Sequence, residues 1–285
     1  MPDTAHMPHM SNALPVSVRT FADLRAEMAN LKADGVTVGF VPTMGALHAG
    51  HLALVQHAKS LCDKVVVSIF VNPLQFAPSE DLDRYPRNEA ADMALLQNAG
   101  CDLVYLPTPD VLYPQNFVSR IEMNGPALGL ETDFRPQFFS GVATVVAKLF
   151  QQVQPDVAVF GEKDFQQLAV VRALVRDFNF NLQIIGLPTV READGLALSS
   201  RNAYLSPNER IIAPKLYATL QAVSDGKLTL AQAEKDLLSA GFDQVDYLAL
   251  RDAETLSEIT PQTRSQRLLA AVWLGKTRLI DNIAV

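Results

Sequence analysis

Val36-Thr-Val-Gly-Phe-Val-Pro-Thr-Met-Gly-Ala-Leu-His-Ala-Gly-His51, continuing into Leu52-Ala-Leu-Val-Gln-His-Ala-Lys-Ser60, reads as strand, glycine turn and helix. The run from Val36 to Val41 is apolar and β-branched, as a buried strand requires. Pro42 and Gly45 end it, and Leu52, Val55 and Leu61 then recur at helical spacing. His48 and His51 therefore stand three apart on one face at the start of a helix. Unpaired backbone N–H groups and the positive end of the helix dipole favour an anion there. Gly45 and Gly50 are spaced as in a phosphate-cradling G-x-x-x-x-G-K-[ST] loop, but His51 replaces its lysine and Leu52 its magnesium-binding hydroxyl, which argues against that loop. Three readings of the histidines remain: donors to phosphate oxygens that can carry a proton near neutral pH, capping or half-buried structural groups, or two metal ligands. The metal reading lacks the glutamate of an H-E-x-x-H helix.

Outward from this stretch, strands and helices alternate. Thr20 caps a helix with Phe21, Leu24, Met28 and Leu31 along one face, and Lys64 to Val71 forms the strand after the histidine helix. Arg87 to Gly100 is helical, Leu103 to Leu106 a strand, Val118 to Met123 an extended piece and Gly125 to Ser140 a loop. Helices over Gly141 to Gln152 and Asp164 to Phe178 alternate with strands over Asp156 to Phe160 and Leu182 to Leu187. The pattern predicts an α/β fold, a Rossmann-like doubly wound parallel sheet. After about Arg191 the order changes to two helices, Asn208 to Ser224 and Thr229 to Ala240, followed by three strands, as in a smaller α+β domain with an antiparallel sheet. The expected organisation is a disordered leader over residues 1–14, a Rossmann-like domain over 15–190 and an α+β domain over 191–285.

The 285 residues are 48% apolar, ample for a substantial core, and carry a net charge of −7. That charge argues against nucleic acid and against an anionic membrane surface as partners. No apolar run approaches the ~20 residues of a membrane span, and the leader, with His6 and His9, lacks the basic start and apolar centre of a signal peptide. Two cysteines, Cys62 and Cys101, are too few for a disulfide framework, so a reducing cytoplasm is the simplest setting.

Polar signals fall just after the strands, at Thr43 to His51, Asn72 to Gln75, Gly161 to Asp164 and Thr189 to Arg191. In an open parallel sheet ligands bind outside the carboxyl ends of the strands, so these loops converge on one pocket. Lys163 and Arg201 are the cations an acidic protein needs to hold a polyphosphate, with Ser199 and Ser200 as added donors. Gln75 and Gln167 are neutral hydrogen-bonders suited to a small hydroxylated acid whose carboxylate must stay nucleophilic.

Six motifs taken in order resemble the pantothenate synthetase (pantoate–β-alanine ligase) family: P-T-M-G-A-L-H-A-G-H (42–51), F-V-N-P-L-Q-F (70–76), Y-P-R (85–87), G-V-A-T-V-V-A-K-L-F (141–150), V-F-G-E-K-D-F-Q-Q-L (159–168) and P-T-V-R-E-A-D-G-L-A-L-S-S-R-N (188–202). The resemblance runs from about Val16 to Val285 and extends more distantly to the HxGH nucleotidylyltransferases. It implies that pantoate attacks the α-phosphorus of Mg-ATP to give pantoyl adenylate, from which β-alanine displaces AMP. By similarity Met44, Gly45, Ala46, Leu47, His48, Ala49, Gly50 and His51 line the ATP site, with His48 and His51 on the phosphates and His51 the proton donor. Gly161, Glu162, Lys163 and Asp164, then Val190, and then Leu198, Ser199, Ser200 and Arg201 complete that site. His51, His48, Lys163 and Arg201 are the implied catalytic groups; Gln75, Gln167 and Asn72 would hold pantoate, and Gln75 would also meet β-alanine. The family is homodimeric, its C-terminal domain a lid, its Mg²⁺ held largely by phosphate oxygens; Asp92 is the one carboxylate here offered to that ion. A second departure puts Phe138 where the family has histidine.

Overall fold

Six apolar runs pair side by side, all parallel, in the order β1-β4-β3-β2-β5-β6. A computed structural model describes residues 14–77, 80 and 82–285, so the leader, with His6 and His9, lies outside the described residues except for Leu14. The strands are β1 (Val16–Val18), β2 (Val38–Thr43), β3 (Lys64–Ile69), β4 (Leu103–Tyr105), β5 (Val157–Gly161) and β6 (Gln183–Leu187). Between them run α1 (Phe21–Leu31), α2 (Ala49–Leu61), α3 (Glu89–Ala99), the short α4 (Pro109–Leu112) and α5 (Glu131–Phe134), then α6 (Phe138–Val153) and α7 (Phe165–Asp177). From β2 the chain winds to β3 and β4, then crosses back to β5 and β6 on the other side of β2. The order reverses between β2 and β5, which is where a doubly wound sheet opens a crevice at its carboxyl edge.

Both faces of the sheet are covered, which is why its strands read as continuous apolar runs rather than alternating ones. Val65 and Val67 of β3 pack with Leu54, Val55, Ala58 and Leu96 on one side. Val66 packs with Phe40, Leu103, Tyr105 and the α6 residues Val142, Val146 and Phe150 on the other. Helix α2 therefore buries Leu54, Val55 and Ala58, while Leu61, expected on its apolar face, is exposed. Helix α6 begins at Phe138, three residues before its sequence-read start, and Val118 to Met123 takes no regular structure.

The C-terminal region forms a separate antiparallel sheet of β7 (Gln244–Asp252), β8 (Gln266–Leu274) and β9 (Thr277–Ala284), in that order. The helix expected over Asn208 to Ser224 is broken into α8 (Pro207–Ile212) and α9 (Lys215–Ser224), because Pro214 between them has no N–H to continue the ladder. With α10 (Leu230–Ala240), capped by Thr229, they give this sheet its own core of Leu216, Leu220, Leu237, Phe242, Leu268 and Val272. A small cluster of Leu130, Phe165, Leu256 and Leu269 joins this sheet to the main one.

One contact ties the long helix to the crevice. A Cβ added at Gly141 of α6 would lie 2.2 Å from the Leu74 carbonyl oxygen and 2.7 Å from the Gln75 nitrogen, so only glycine lets the helix lie against the backbone of the Pro73–Gln75 turn. Gly141→Ala is expected to destabilise the protein by about 1–3 kcal/mol through overpacking. It should also displace the turn that carries Gln75. Thermal unfolding checks the first effect, and the KM for any ligand of Gln75 checks the second.

Candidate active site

The histidines are held by the helix they begin. His48 is the N-cap of α2: its Nδ1 accepts the Gly50 backbone N–H at 3.1 Å, while His51 Nδ1 accepts the His48 backbone N–H at 3.3 Å. An Nδ1 that accepts cannot carry a proton, so both neutral rings keep theirs on Nε2. The rings lie 4.1 Å apart, centroid to centroid, and both line the crevice. Burial, then the neighbouring Lys163 ammonium, lowers His48 to about 4; burial, then His48 and Lys163, lowers His51 to about 3. The capping and phosphate-donor readings are thus compatible, but a proton near neutral pH is not carried by these rings in the free protein. They are neutral N–H donors.

The turn before the helix is braced from behind. Gly45 (φ +80°) and Ala46 (φ +50°) both take left-handed backbone, which an alanine adopts at a cost of ~1–2 kcal/mol. Buried Asp92 of α3 supports it: one carboxylate oxygen accepts the Ala46 N–H at 3.0 Å and the other the Leu47 N–H at 2.8 Å. Asp92, offered to magnesium on the sequence, spends its oxygens on this turn and does not line the crevice. Among the described residues no group of three or more His, Cys, Asp or Glu side chains could hold a metal ion.

The crevice, about 870 Å³, is lined by Met44, His48, Gly50, His51, Asn72, Gln75, Gly161, Lys163, Asp164, Gln167, Val190, Leu198, Ser199, Ser200 and Arg201. That volume suits a nucleotide with a small second ligand. Gly45, Ala46, Leu47 and Ala49 form the turn and the first helical residue behind this wall, and Glu162 points its carboxylate at Arg267, 3.1 Å away. Lys163 Nζ lies 3.8 Å from the Asp164 carboxylate. Ser199 caps the 3₁₀ turn Ser200–Tyr204 by accepting the Arg201 N–H, and Ser200 Oγ meets the Tyr85 hydroxyl at 3.2 Å. Gln75 Nε2 stands 3.0 Å from Met44 Sδ, and Asn72, only 1% exposed, is bonded to Gln75, Gly141, Leu74 and Tyr113. Phe138, where the resemblance expected histidine, lines the crevice and carries the Arg135 guanidinium 3.9 Å above its ring.

A set of charges that no local pattern announces ties the C-terminal sheet to this wall. Asn282 of β9 donates through Nδ2 to the carbonyls of Glu162 (2.9 Å) and Lys163 (2.8 Å), and accepts from Arg267 Nε at 2.6 Å. Arg191 grips Asp281 with two bonds of 2.6 and 2.8 Å and lies over Tyr217. Arg278 donates to both oxygens of Glu131, at 2.7 and 2.9 Å, with the Tyr247 hydroxyl at 2.8 Å. Burial raises the Glu131 carboxyl, but Arg278 and Arg135 outweigh it and hold the group below its ordinary range.

The chain matches the model of the pantoate-beta-alanine ligase family over residues 16–284. It is 52% identical over 278 residues to the pantothenate synthetase of Mesorhizobium japonicum (95% of this chain, 98% of that one). It is 54% identical over 281 residues to that of Rhodospirillum rubrum (96% and 99%). Among solved structures it superposes on the Thermus thermophilus pantothenate synthetase with a TM-score of 0.86 at 48% identity, covering 94% of this chain and 98% of that one. The TM-score is 0.84 at 36% identity (95% and 97%) with the Francisella tularensis pantoate-beta-alanine ligase, a structure complexed with beta-gamma ATP and beta-alanine.

Because the two rings titrate far below the ordinary imidazole value of 6.5, the unfolded chain takes up protons that the folded chain refuses as pH falls from about 6.5 towards 4. Their contribution therefore favours unfolding progressively across that window. In ¹⁵N-edited NMR of the free protein, His48 and His51 are expected to stay in the Nε2–H neutral form from pH 8 down to about pH 5; a midpoint near 6.5 for either ring would contradict the capping geometry.

Proposed function

The chain belongs to the pantoate–beta-alanine ligase family, and from that premise we propose how its crevice divides the work of the reaction. The protein is an ATP-dependent ligase that condenses pantoate with β-alanine. In the first step a pantoate carboxylate oxygen attacks the α-phosphorus of ATP, the bond to the β-phosphate oxygen breaks and pyrophosphate leaves. In the second the β-alanine nitrogen attacks the acyl carbon of pantoyl adenylate, AMP leaves and the nitrogen gives up its proton as pantothenate forms.

The observation that carries the assignment is that two carboxamides, Gln75 and Gln167, share one crevice with His48, His51, Lys163 and Arg201. The amides take pantoate without neutralising the oxygen that must attack, with Gln75 also reaching β-alanine, while the Nε2–H groups of His48 and His51 donate to phosphate oxygens as charge shifts onto the leaving pyrophosphate. Lys163 and Arg201 hold the triphosphate. Asp164 serves the ribose, and Val190 the adenine. Magnesium would arrive with ATP, where it would offset phosphate charge; among the described residues no cluster of carboxylate, histidine or cysteine side chains would hold it. Residues 191–285 act as the lid over residues 15–190, rooted by Asn282 on the Glu162 and Lys163 carbonyls.

We also place the enzyme in the cytoplasm as a homodimer. Cys62 and Cys101 are free thiols, and no helix among the described residues is long and apolar enough to cross a membrane. Phe117, Ile121, Phe178 (56% exposed) and Phe180 line an apolar groove, with Val118 (91% exposed) next to Phe117 in the chain, and this is the surface we assign to a second copy of the chain.

Purified protein with ATP, Mg²⁺, pantoate and β-alanine should yield AMP and pantothenate. Pyrophosphate release should require pantoate but not β-alanine; AMP formation indifferent to pantoate would sink the assignment. His51→Ala is expected to lower turnover about 10²–10³-fold, with the circular dichroism spectrum unchanged. Val118→Asp should shift the sedimentation coefficient from dimer to monomer.

A further inference from the structure

The side-chain amide of Gln75 is not free to choose which end faces the crevice. Asn72 Oδ1 accepts the Leu74 backbone N–H at 3.2 Å, and a backbone N–H can only donate. Asn72 Nδ2 donates to the Gly141 carbonyl at 3.1 Å, and a carbonyl can only accept. These two bonds fix the orientation of the Asn72 amide, so its second N–H must point at Gln75, which receives it on Oε1 at 3.0 Å. Gln75 is thereby obliged to turn its Nε2 outward. There it meets Met44 Sδ at 3.0 Å, a weak acceptor that an oxygen of a ligand readily displaces.

One bond in this chain comes from outside the crevice. The Tyr113 hydroxyl donates to Asn72 Oδ1 at 2.7 Å, filling the last of the four hydrogen-bonding positions of that buried amide. Tyr113 follows α4, does not line the crevice, and is held by an edge contact with Phe70 (ring centroids 6.0 Å) and a tilted one with Phe117 (5.1 Å). Its hydroxyl cannot serve as a donor elsewhere while it satisfies Asn72, and without it Asn72 Oδ1 keeps only the longer Leu74 bond.

We propose that Tyr113 is a positioning residue for pantoate: by holding in place the Asn72 amide whose polarity the backbone sets, it keeps the Gln75 N–H groups aimed at the substrate, so that this subsite accepts oxygen acceptors and rejects donors. The proposal rests on the reading of Gln75 as a pantoate ligand. It gives Asn72 a role in orienting Gln75 instead of touching substrate, and it places a specificity element on the far side of the turn from the reaction.

The test is a double-mutant cycle on the full-length enzyme, with initial rates measured against pantoate and against ATP. Tyr113→Phe keeps the ring and removes only the hydroxyl, so it should leave the melting temperature within a few degrees. It should raise the KM for pantoate about three- to tenfold, the size expected for a lost buried hydrogen bond. The KM for ATP should stay within twofold. In a Gln75→Ala background the same substitution should have no further effect on pantoate, because the group it positions is gone. An equal rise in both KM values, no rise at all, or an undiminished effect of Tyr113→Phe in the Gln75→Ala background would each overturn the relay. Failure of the underlying reading has a different signature: Gln75→Ala alone would leave the KM for pantoate unchanged.

Discussion

The backbone N–H groups of Gly50 and His48 end on the Nδ1 atoms of His48 and His51, and the chemistry of the crevice depends on those two bonds. They satisfy donors that the first turn of α2 would otherwise leave unpaired, and in doing so they fix the tautomer of both rings. A serine or aspartate would cap the helix as well or better, but neither would present an N–H to a ligand from the same side chain. The strained turn at Gly45 and Ala46 brings the rings to the crevice, and Asp92 holds that turn from behind through the Ala46 and Leu47 N–H groups. Local structure and reactive groups are therefore one construction, reaching from α3 through the turn to the first residues of α2.

The opposite wall is fixed by charges rather than by helix ends. Arg278 is joined to Glu131, and Arg191 to Asp281, by bonds of 2.6 to 2.9 Å, and Glu131 and Asp281 are almost wholly buried. Such pairs are weak evidence of net stability, since desolvation offsets much of their attraction, but breaking one by removing a single partner costs about 3–5 kcal/mol. Their effect is to fix geometry. The β9 sheet cannot leave the Glu162–Lys163 backbone at Asn282 without exposing two carbonyls that the amide now satisfies. Lys163 thus takes its position from both sheets.

How much of this was legible in the sequence differs between the two walls. The parallel sheet could be read because strands covered on both faces appear as runs such as Lys64-Val-Val-Val-Ser-Ile69, and the crevice because glycine, histidine and lysine loops recur after those runs. Boundaries were less legible: Phe138 to Ser140 belong to α6, and Pro214 splits the helix between α8 and α9. Asp92 reads from the sequence as a carboxylate for magnesium and not as the brace of the turn, because its partners lie 46 and 45 residues away. The pairing of Glu131 with Arg278 spans 147 residues and leaves no periodic trace. Tyr113 was invisible for a related reason, since its significance lies in one bond to an amide whose own polarity is set by two backbone groups.

The depressed histidine pKa values carry one more consequence. Burial and the Lys163 ammonium keep both rings neutral in the free protein. In the proposed binding mode a triphosphate brings negative charge to the same ammonium and opposes its share of that depression, which raises the proton affinity of the rings. By linkage, any protonation that follows must tighten the binding that caused it. In the proposed reaction a protein with a net charge of −7 relies on a few local cations for ATP. In the proposed assignment Lys163 and Arg201 supply fixed charge, and the imidazoles supply donors whose charge responds to the phosphates they meet. On that assignment the response is greatest when pyrophosphate is leaving and negative charge on its oxygens is growing, which is the moment at which an added donor lowers the barrier instead of only strengthening the ground state.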